Sequence, residues 1–330
     1  MSLAYILIGF LVIGLAYLYW TVFRLHRKHI EANEKNAFLD ELLRNTGISM
    51  YKTKRIDGEV LYYFKKDAPI ETDRNRQIGP ALRNALINNE LILYYQPKFD
   101  LTAKKIVGAE ALLRWNNPAL GLIDPLEFIP LTEETGLIIN IGEWALYEAC
   151  RANKSWQDQG YEPISIAVNI SAKQFNYQNI PELISRVLTN SGLNPSYLEL
   201  EITESAIMED VELGIKRLNE IKKMGVKISI DDFGTGYTSI KYLKHFPIHA
   251  VKIDQSFIKD LPEDKNDAAI TAAVIALAHQ LELIVVAEGV ETQEQLAFLT
   301  EHACDIIQGY YVAKAAPEEE FLSLLAKRKK

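Results

Sequence analysis

The chain has 330 residues and a formal net charge of −8, which is long enough for a large hydrophobic core and more than one segment. Binding of nucleic-acid polymers normally requires an extended basic surface, so the negative net charge argues against that class of partner. The negative charge is compatible with a small phosphorylated ligand that is bound through cations. Cys150 and Cys304 form no CxxC pattern, which indicates neither a disulfide framework nor a zinc site.

An uncharged apolar run lies at the start of the chain. Residues 3–23 contain no charged side chain, and a helix of this length would be about 31 Å long, close to the hydrocarbon thickness of a bilayer. Arg24, Arg27 and Lys28 follow directly, and positive residues flank the cytoplasmic side of a membrane span. We therefore predict a single transmembrane helix over residues 1–24. A cleaved signal peptide fits less well, since neither a preceding charged region nor a convincing cleavage site is present; a buried helix of a soluble domain is the third interpretation.

Residues 25–77 are predicted to connect this helix to the main domain. A charged juxtamembrane helix is expected to end near Gly47. Asp57-Gly58 is a strong hairpin-turn signal and predicts a short β-hairpin over residues 49–66. The polar, proline-containing stretch that follows is typical of a linker. The hairpin is interpreted as a small element that packs on the main domain, and a regulatory element between membrane and domain is the alternative.

From residue 78 onward, short β-rich runs alternate with longer helical ones. Two runs, 91–97 and 105–115, lie close together as an opening hairpin would. Further strand-like runs are found at 164–171, 197–205, 226–232, 249–254, 283–289 and 304–310. Continuous apolar runs such as "LIVVA" are typical of strands covered on both faces. The alternation predicts a (β/α)₈ TIM-like barrel over residues 78–330. A doubly wound open sheet is the alternative, but the strand count and the absence of a GxGxxG fingerprint favour the barrel.

Oxygen-bearing side chains occur near the ends of most of these strands, where barrel enzymes place their chemistry. They are Glu110, Asn169, Glu201, Glu204, Asp231, Asp232, Asp254, Glu288 and Gln308. Any one of them has a plain explanation as the cap of the next helix. Several acids at one mouth would instead raise each other's pKa unless cations neutralise them. Oxygen ligands suit Mg²⁺ or Mn²⁺, and two such ions are the usual device for in-line attack on a phosphodiester. Lys252 adds a positive charge that can orient the water or the phosphate.

The sequence closely resembles the EAL domain family of cyclic di-GMP-specific phosphodiesterases over about residues 78–328. The motifs that carry the resemblance stand in order as "YYQPKFDL", "EALLRW", "VNISAKQF", "LELEITES", "DDFGTGYTSI", "VKIDQSFIKDL", "VVAEGVET" and "QGYY". The resemblance implies hydrolysis of cyclic di-GMP to linear pGpG with two Mg²⁺ or Mn²⁺ ions per site, in a homodimer formed through the barrel. Together with the predicted helix, it implies a single-pass protein of the bacterial inner membrane with a cytoplasmic catalytic domain.

The resemblance also assigns roles to individual positions. It places metal ligands at Glu110, Asn169, Glu201, Asp231 and Asp232. It places catalytic residues at Lys252, Glu288 and Glu110, with Glu288 as a metal-water contact or general base. Substrate contacts fall on Gln96, Leu112, Arg114 and Gln308. Glu204, Gly234 and Gly236 are expected to shape the loop after Asp232, because glycine tolerates positive φ. A membrane-bound receptor that binds cyclic di-GMP without cutting it is the alternative, but degenerate members usually lack some of these acids. A structural membrane adaptor is the remaining interpretation.

Overall fold

The computed structural model of the protein describes residues 48–56, 59–66, 73–234 and 240–327. The predicted transmembrane helix, the predicted juxtamembrane helix up to residue 47 and most of the predicted linker lie outside these ranges. Among the residues that the structure describes, no helix combines the length and the apolar composition needed to cross a bilayer. The chain divides into two units, Met1–Arg76 and Gln77–Lys330.

The first unit contains a two-stranded hairpin among its described residues. Strands β1 (Ile48–Ile56) and β2 (Glu59–Lys66) pair antiparallel, with Ile56 opposite Glu59. This antiparallel pairing on either side of residues 57 and 58 agrees with the predicted hairpin; the predicted turn at Asp57-Gly58 itself lies outside the described residues.

The second unit is built around a closed sheet. Its strands are β3 (Leu91–Asp100), β4 (Lys105–Asn117), β5 (Gly121–Ile123), β6 (Ser165–Ile170), β7 (Leu198–Thr203), β8 (Lys227–Phe233), β9 (Ala250–Ile253), β10 (Ile284–Ala287) and β11 (Ile306–Ile307). Seven of them follow one another around the sheet in the order β4, β6, β7, β8, β9, β10, β11. β3 pairs with both β11 and β4 and so closes the ring, while β5 extends the end of β4 outside it. The predicted eight-stranded barrel is thereby confirmed.

One strand of the barrel runs against the others. β3 is antiparallel to both of its neighbours, whereas the remaining neighbours in the ring are parallel. The physical reason is the connection to β4, because residues 101–104 are long enough for a hairpin but not for the crossover that parallel strands need. Along β3 the chain therefore moves away from the end of the barrel at which the other strands finish. Gln96 lies beside Glu110, and Lys98 lies deeper, beside Gly108.

Helices lie between successive parallel strands, with one more helix before β3 and one after β11. They are α1 (Asp73–Leu82), α2 (Pro125–Thr135), α3 (Ile138–Asp158), α4 (Ala172–Tyr177), α5 (Ile180–Ser191), α6 (Glu204–Met208), α7 (Val211–Lys223), α8 (Ile240–Leu243), α9 (Gln255–Ile258), α10 (Lys265–Gln280), α11 (Gln293–Glu301) and α12 (Glu318–Lys327). Local capping fixes where several begin. Asp124 accepts a hydrogen bond from the backbone N–H of Leu126 at the start of α2, and Ser171 and Thr292 form capping boxes on α4 and α11. These caps satisfy backbone donors that have no partner within the helix.

Side chains along β7 and β8 point alternately into the barrel and toward the surrounding helices. Leu200 and Ile230 are fully buried in the main hydrophobic cluster. Their neighbours Glu201 and Asp231 point to the opposite face, as a period of two requires, and both contact Lys252 inside the barrel. The barrel interior is therefore charged, and its apolar core lies between the strands and the surrounding helices.

Candidate active site

A buried lysine lies at the centre of the charged interior. Lys252 on β9 is 1% exposed. Its Nζ lies 2.7 Å from Glu201 Oε2, 2.9 Å from Asp231 Oδ1, 2.6 Å from Glu288 Oε1 and 3.8 Å from Glu110 Oε2. Burial alone would lower the pKa of Lys252, but these carboxylates outweigh it and raise the pKa well above its ordinary value. The ammonium group is thus a fixed positive charge that gathers acids from separate strands.

Two amide side chains hold the carboxylate of Glu110. Asn169 Nδ2 donates to Glu110 Oε1 over 2.6 Å, and Gln308 Nε2 donates to Oε2 over 2.6 Å. Gln308 Nε2 also lies 3.0 Å from Gln96 Oε1. Burial, together with the nearby charge of Glu201, raises the pKa of Glu110 to about 7. Four of the residues predicted from the sequence therefore lie in one hydrogen-bonded group.

Glu201 is held by two lysines, one on each oxygen. Lys98 Nζ lies 2.7 Å from Oε1, and Lys252 Nζ lies 2.7 Å from Oε2. Burial would raise the pKa of Glu201, but the charges of Lys252 and Lys98 outweigh it and lower the pKa to about 2. Lys98 also pairs with Glu199 over 3.0 Å. The sequence analysis missed Lys98 and Glu199, although each stands two residues from a predicted site residue, Gln96 or Glu201, and so shares its face of the strand.

Three acids form an arrangement that fits a divalent cation. Asp231, Asp232 and Glu288 each offer a carboxylate oxygen, and these oxygens all lie within 4.8 Å of one another. Oδ1 of Asp231 is buried and accepts no hydrogen bond from the described residues, although it is paired by charge with Lys252. Burial raises the pKa of Glu288 to about 8, and burial with the charge of Asp231 raises the pKa of Asp232. Concentrated carboxylate oxygens of this kind are the donors that Mg²⁺ and Mn²⁺ prefer.

The chain turns sharply where β8 ends. Asp232 has a backbone φ of +53° and Gly234 one of +101°. A non-glycine residue at positive φ is uncommon, and such residues cluster at functional sites. A Cβ atom on Gly234 would lie 2.9 Å from Phe257 Cε2, so space as well as conformation requires glycine there. Gly236 lies outside the described residues. Glu204 begins α6 and is buried, which raises its pKa; its role in shaping the loop stays a prediction.

A cavity of about 570 Å³ opens above these acids. Nine of the predicted site residues line it, namely Gln96, Glu110, Leu112, Arg114, Asp231, Asp232, Lys252, Glu288 and Gln308. Asn169 and Glu201 lie outside this lining and reach it through their contacts with Glu110 and Lys252. The volume is typical of a small-molecule site.

The rim of the cavity carries cationic and aromatic groups. The Arg114 guanidinium lies 5.5 Å from the ring centroid of Tyr94, and Lys314 Nζ lies 4.8 Å from that of Tyr310. Leu126 is 86% exposed at the same rim. The sequence analysis did not identify Tyr310, Lys314 or Leu126. An acidic floor with basic and aromatic groups above it suits an anionic ligand with flat rings, bound together with cations.

Asp254 illustrates the plain explanation for an acid at a strand end. Its carboxylate accepts from the backbone N–H of Ser256 and caps α9. Although Asp254 also lines the cavity, its hydrogen bonds account for its position without a metal.

Comparison with known proteins places these features in a family. Residues 80–315 match the EAL domain family. The chain is 43% identical over 286 residues to the "Bifunctional diguanylate cyclase/cyclic di-GMP phosphodiesterase MucR" of Pseudomonas aeruginosa, covering 87% of this chain and 42% of that protein. It is 39% identical over 286 residues to the "Cyclic di-GMP phosphodiesterase NbdA" of the same species, covering 86% of this chain and 36% of that protein. The chain therefore spans less than half the length of these curated relatives.

A solved structure shows the same fold. "PaMucR Phosphodiesterase, c-di-GMP complex" superposes with a TM-score of 0.72 at 46% sequence identity, covering 74% of this chain and 99% of that chain. The EAL domain protein from Listeria monocytogenes EGD-e superposes with a TM-score of 0.63 at 34% identity, covering 74% of this chain and 96% of that chain. The matched family covers most of the chain, and the barrel and its acidic mouth agree with it, so this protein belongs to the EAL domain family.

Proposed function

We propose that this protein is a phosphodiesterase that hydrolyses cyclic di-GMP to linear pGpG with Mg²⁺ or Mn²⁺. The observation that carries the proposal is the buried Lys252 ammonium surrounded by carboxylates at the floor of a ligand-sized cavity. The names of the relatives support it, since MucR and NbdA are called cyclic di-GMP phosphodiesterases and the MucR phosphodiesterase structure is a cyclic di-GMP complex.

The balance of charge in the interior supports two divalent ions. The described carboxylates of the cluster are Glu110, Glu199, Glu201, Asp231, Asp232 and Glu288, and the ammonium groups are Lys98 and Lys252. Six negative and two positive charges leave four negative charges when every group is ionised. Two divalent cations would balance these charges, and burying an uncompensated set of this size would be costly.

The proposed division of roles follows from these contacts. Glu110, Asn169, Glu201, Asp231 and Asp232 would hold the ions. When bound, a pair of divalent cations supplies an activated water and neutralises charge on the phosphate. Lys252 fixes the orientation of the surrounding carboxylates and presents a positive charge to the scissile phosphodiester. Glu288, whose pKa burial raises to about 8 in the metal-free protein, would accept a proton from the attacking water.

The substrate would be held above this floor. Arg114 Nη1 donates to the carbonyl of Leu113 over 2.8 Å, which fixes the guanidinium at the cavity wall. From there it would bind a phosphate of the dinucleotide. Gln96, Leu112 and Gln308 line the same wall and would contact the rest of the substrate.

The test is a hydrolysis assay on the purified chain with Mg²⁺, Mn²⁺ or EDTA, in which pGpG is measured by chromatography at several protein concentrations. We expect turnover with either metal and none in EDTA. Lys252→Met should reduce kcat at least about 100-fold, since it removes a preorganised charge from the reacting group. Lys105→Met serves as the control, because Lys105 is a half-exposed partner of Glu162 on the surface. No turnover with either metal would contradict the proposal, and tight binding in Ca²⁺ without cleavage in Mg²⁺ would point to a receptor.

We further propose that the chain is a homodimer through its barrel and is anchored in the bacterial inner membrane by residues 1–24. The uncharged run 3–23 and the positive residues after it support the anchor. Sedimentation of the protein with the membrane fraction, and its release by detergent but not by high salt, would be expected. A rise in specific activity with protein concentration would be expected of a dimer.

A further inference from the structure

Lys98 is a buried lysine that does not line the cavity. It is 2% exposed and is among the largest fully buried side chains of the protein. Its Nζ lies 2.7 Å from Glu201 Oε1 and 3.0 Å from Glu199 Oε1. Contact with the cavity therefore does not explain its position, and a fully buried ammonium needs a compensating arrangement to be stable.

The groups around Lys98 form a second, deeper layer of the barrel interior. Ser229 Oγ donates to Glu199 Oε1 over 2.9 Å, the same oxygen that Lys98 contacts. Opposite Lys98 on β4 stands Gly108, where an added Cβ would lie 3.7 Å from Lys98 Cδ and 2.5 Å from Ser165 Oγ. Glu199 and Ser229 thus anchor the lysine beneath the site, in a tightly packed space.

The contact with Glu201 connects this deeper layer to the site above. A carboxylate held at one oxygen can still rotate about its terminal bond, whereas one held at both oxygens has a single orientation. Lys98 holds Oε1 and Lys252 holds Oε2 of Glu201, each over 2.7 Å. Replacing a group that fixes the orientation of a metal ligand commonly costs about 10- to 100-fold in metal affinity.

We propose that Lys98 is a positioning residue of the hydrolytic centre, which fixes Glu201 from below and so determines how Glu201 meets Lys252 and a divalent cation. This inference rests on the proposed function, in which Glu201 is a cation ligand. The competing explanation is that Lys98 only neutralises the buried charge of Glu199. The two explanations predict different Mn²⁺ affinities for a variant in which Glu199 and Lys98 are both replaced by uncharged residues.

The experiment compares Glu199→Gln with the double variant Lys98→Met/Glu199→Gln, in the full chain. Both variants lack the Glu199 charge, so they differ only at Lys98. The double variant also keeps the net charge of the cluster, since one positive and one negative group are removed. Mn²⁺ affinity is measured without substrate by electron paramagnetic resonance of the free ion. Melting temperature, kcat and KM for cyclic di-GMP are measured in parallel.

If Lys98 positions Glu201, Glu199→Gln should keep the Mn²⁺ affinity of the wild type. The double variant should bind Mn²⁺ about 10- to 100-fold more weakly and lose kcat to a similar degree. KM should change little, because Gln96 and Arg114 stay in place. The single variant Lys98→Arg, which keeps the positive charge, should keep most of the wild-type Mn²⁺ affinity. If the double variant does not fold, Lys98→Gln/Glu199→Gln, which keeps a polar side chain at both positions, gives the same comparison with Glu199→Gln.

Equal Mn²⁺ affinity and kcat in Glu199→Gln and the double variant would overturn the inference, and so would an equal loss in both. A wild-type chain that binds Mn²⁺ but does not hydrolyse cyclic di-GMP would contradict the proposed function alone. The Mn²⁺ comparison would then still decide the role of Lys98. A wild-type chain that binds no Mn²⁺ would overturn both.

Discussion

Glu110 and Glu288 are carboxyl groups that their burial keeps partly protonated near neutral pH. Burial raises their pKa values to about 7 and about 8, whereas a glutamate in an unfolded chain titrates near about 4.3. Between these values the folded protein holds protons that the unfolded chain has released. Their contribution to stability is therefore complete below about pH 4.3 and is lost as the pH rises to about 8.

We expect this linkage to be visible in the metal-free protein. In EDTA, the free energy of unfolding should fall between pH 5 and pH 8.5. Glu288→Gln should flatten the fall, because an amide cannot ionise beside Asp231. Urea denaturation at a series of pH values measures the slope, and Glu263→Gln at an exposed position serves as the matched control. Parallel curves for wild type and Glu288→Gln would show that Glu288 is not the group responsible.

Sequence patterns located the acids of the site better than the contacts between them. The strand ends and the family motifs identified Glu110, Asp231 and Asp232, because these residues follow apolar runs whose ends meet in a barrel. The pairing of Lys98 with Glu201 was not predicted. It depends on the register of β3 against β4 and on the distance across the barrel interior, and neither quantity is written in a local pattern.

At the scale of elements, β3 departs from the (β/α)₈ pattern, because it runs antiparallel to both of its neighbours. The alternation of strands and helices predicted the barrel, and the closeness of runs 91–97 and 105–115 predicted the opening hairpin, which the structure shows as β3 and β4.

The lengths of the later strands were overestimated in the sequence analysis. The run 304–310 contains a strand of only two residues, Ile306–Ile307, because the chain turns at Gly309 to bring Gln308 to the site.

That turn yields a prediction about packing. A Cβ atom on Gly309 would lie 2.2 Å from the carbonyl oxygen and 2.3 Å from the backbone nitrogen of Val290. Val290 N–H also donates to the carbonyl of Gln308 over 3.1 Å. Gly309→Ala should therefore push two backbone segments apart, cost about 1–3 kcal/mol and reduce hydrolysis by displacing Gln308 from Glu110. Urea denaturation measures the cost.

The matched control for this substitution is Gly79→Ala in α1, where an added Cβ meets no described atom within 4 Å. Alanine has the higher helix propensity, so this variant should be neutral or slightly stabilising. Equal changes in the free energy of unfolding for the two substitutions would mean that the turn after β11 can relax. Contact with Val290 would then not fix the position of Gln308.

At the scale of the whole molecule, the barrel interior concentrates negative charge that the fold by itself does not neutralise. The hydrophobic core between strands and helices must hold this interior together in the absence of cations. The cost is concentrated at the end of the barrel where Asp231, Asp232 and Glu288 approach one another. Binding of divalent cations there should therefore stabilise the entire second unit, since closing the ring makes the strands depend on one another.

Divalent cations should accordingly raise the melting temperature of the wild-type chain. At about 100 times the dissociation constant, one bound ion adds about 2.7 kcal/mol, and for a domain of about 250 residues this corresponds to a rise of about 5–10 °C. The combined variant Asp231→Asn/Asp232→Asn should lose the rise, although it melts at or above the wild-type temperature in EDTA, because it removes repelling charges. Asp158→Asn, which removes a surface carboxylate paired with Lys154, should keep the full rise. Scanning calorimetry with and without Mn²⁺ measures these shifts, and an equal rise in both variants would locate the stabilising cation away from the barrel mouth.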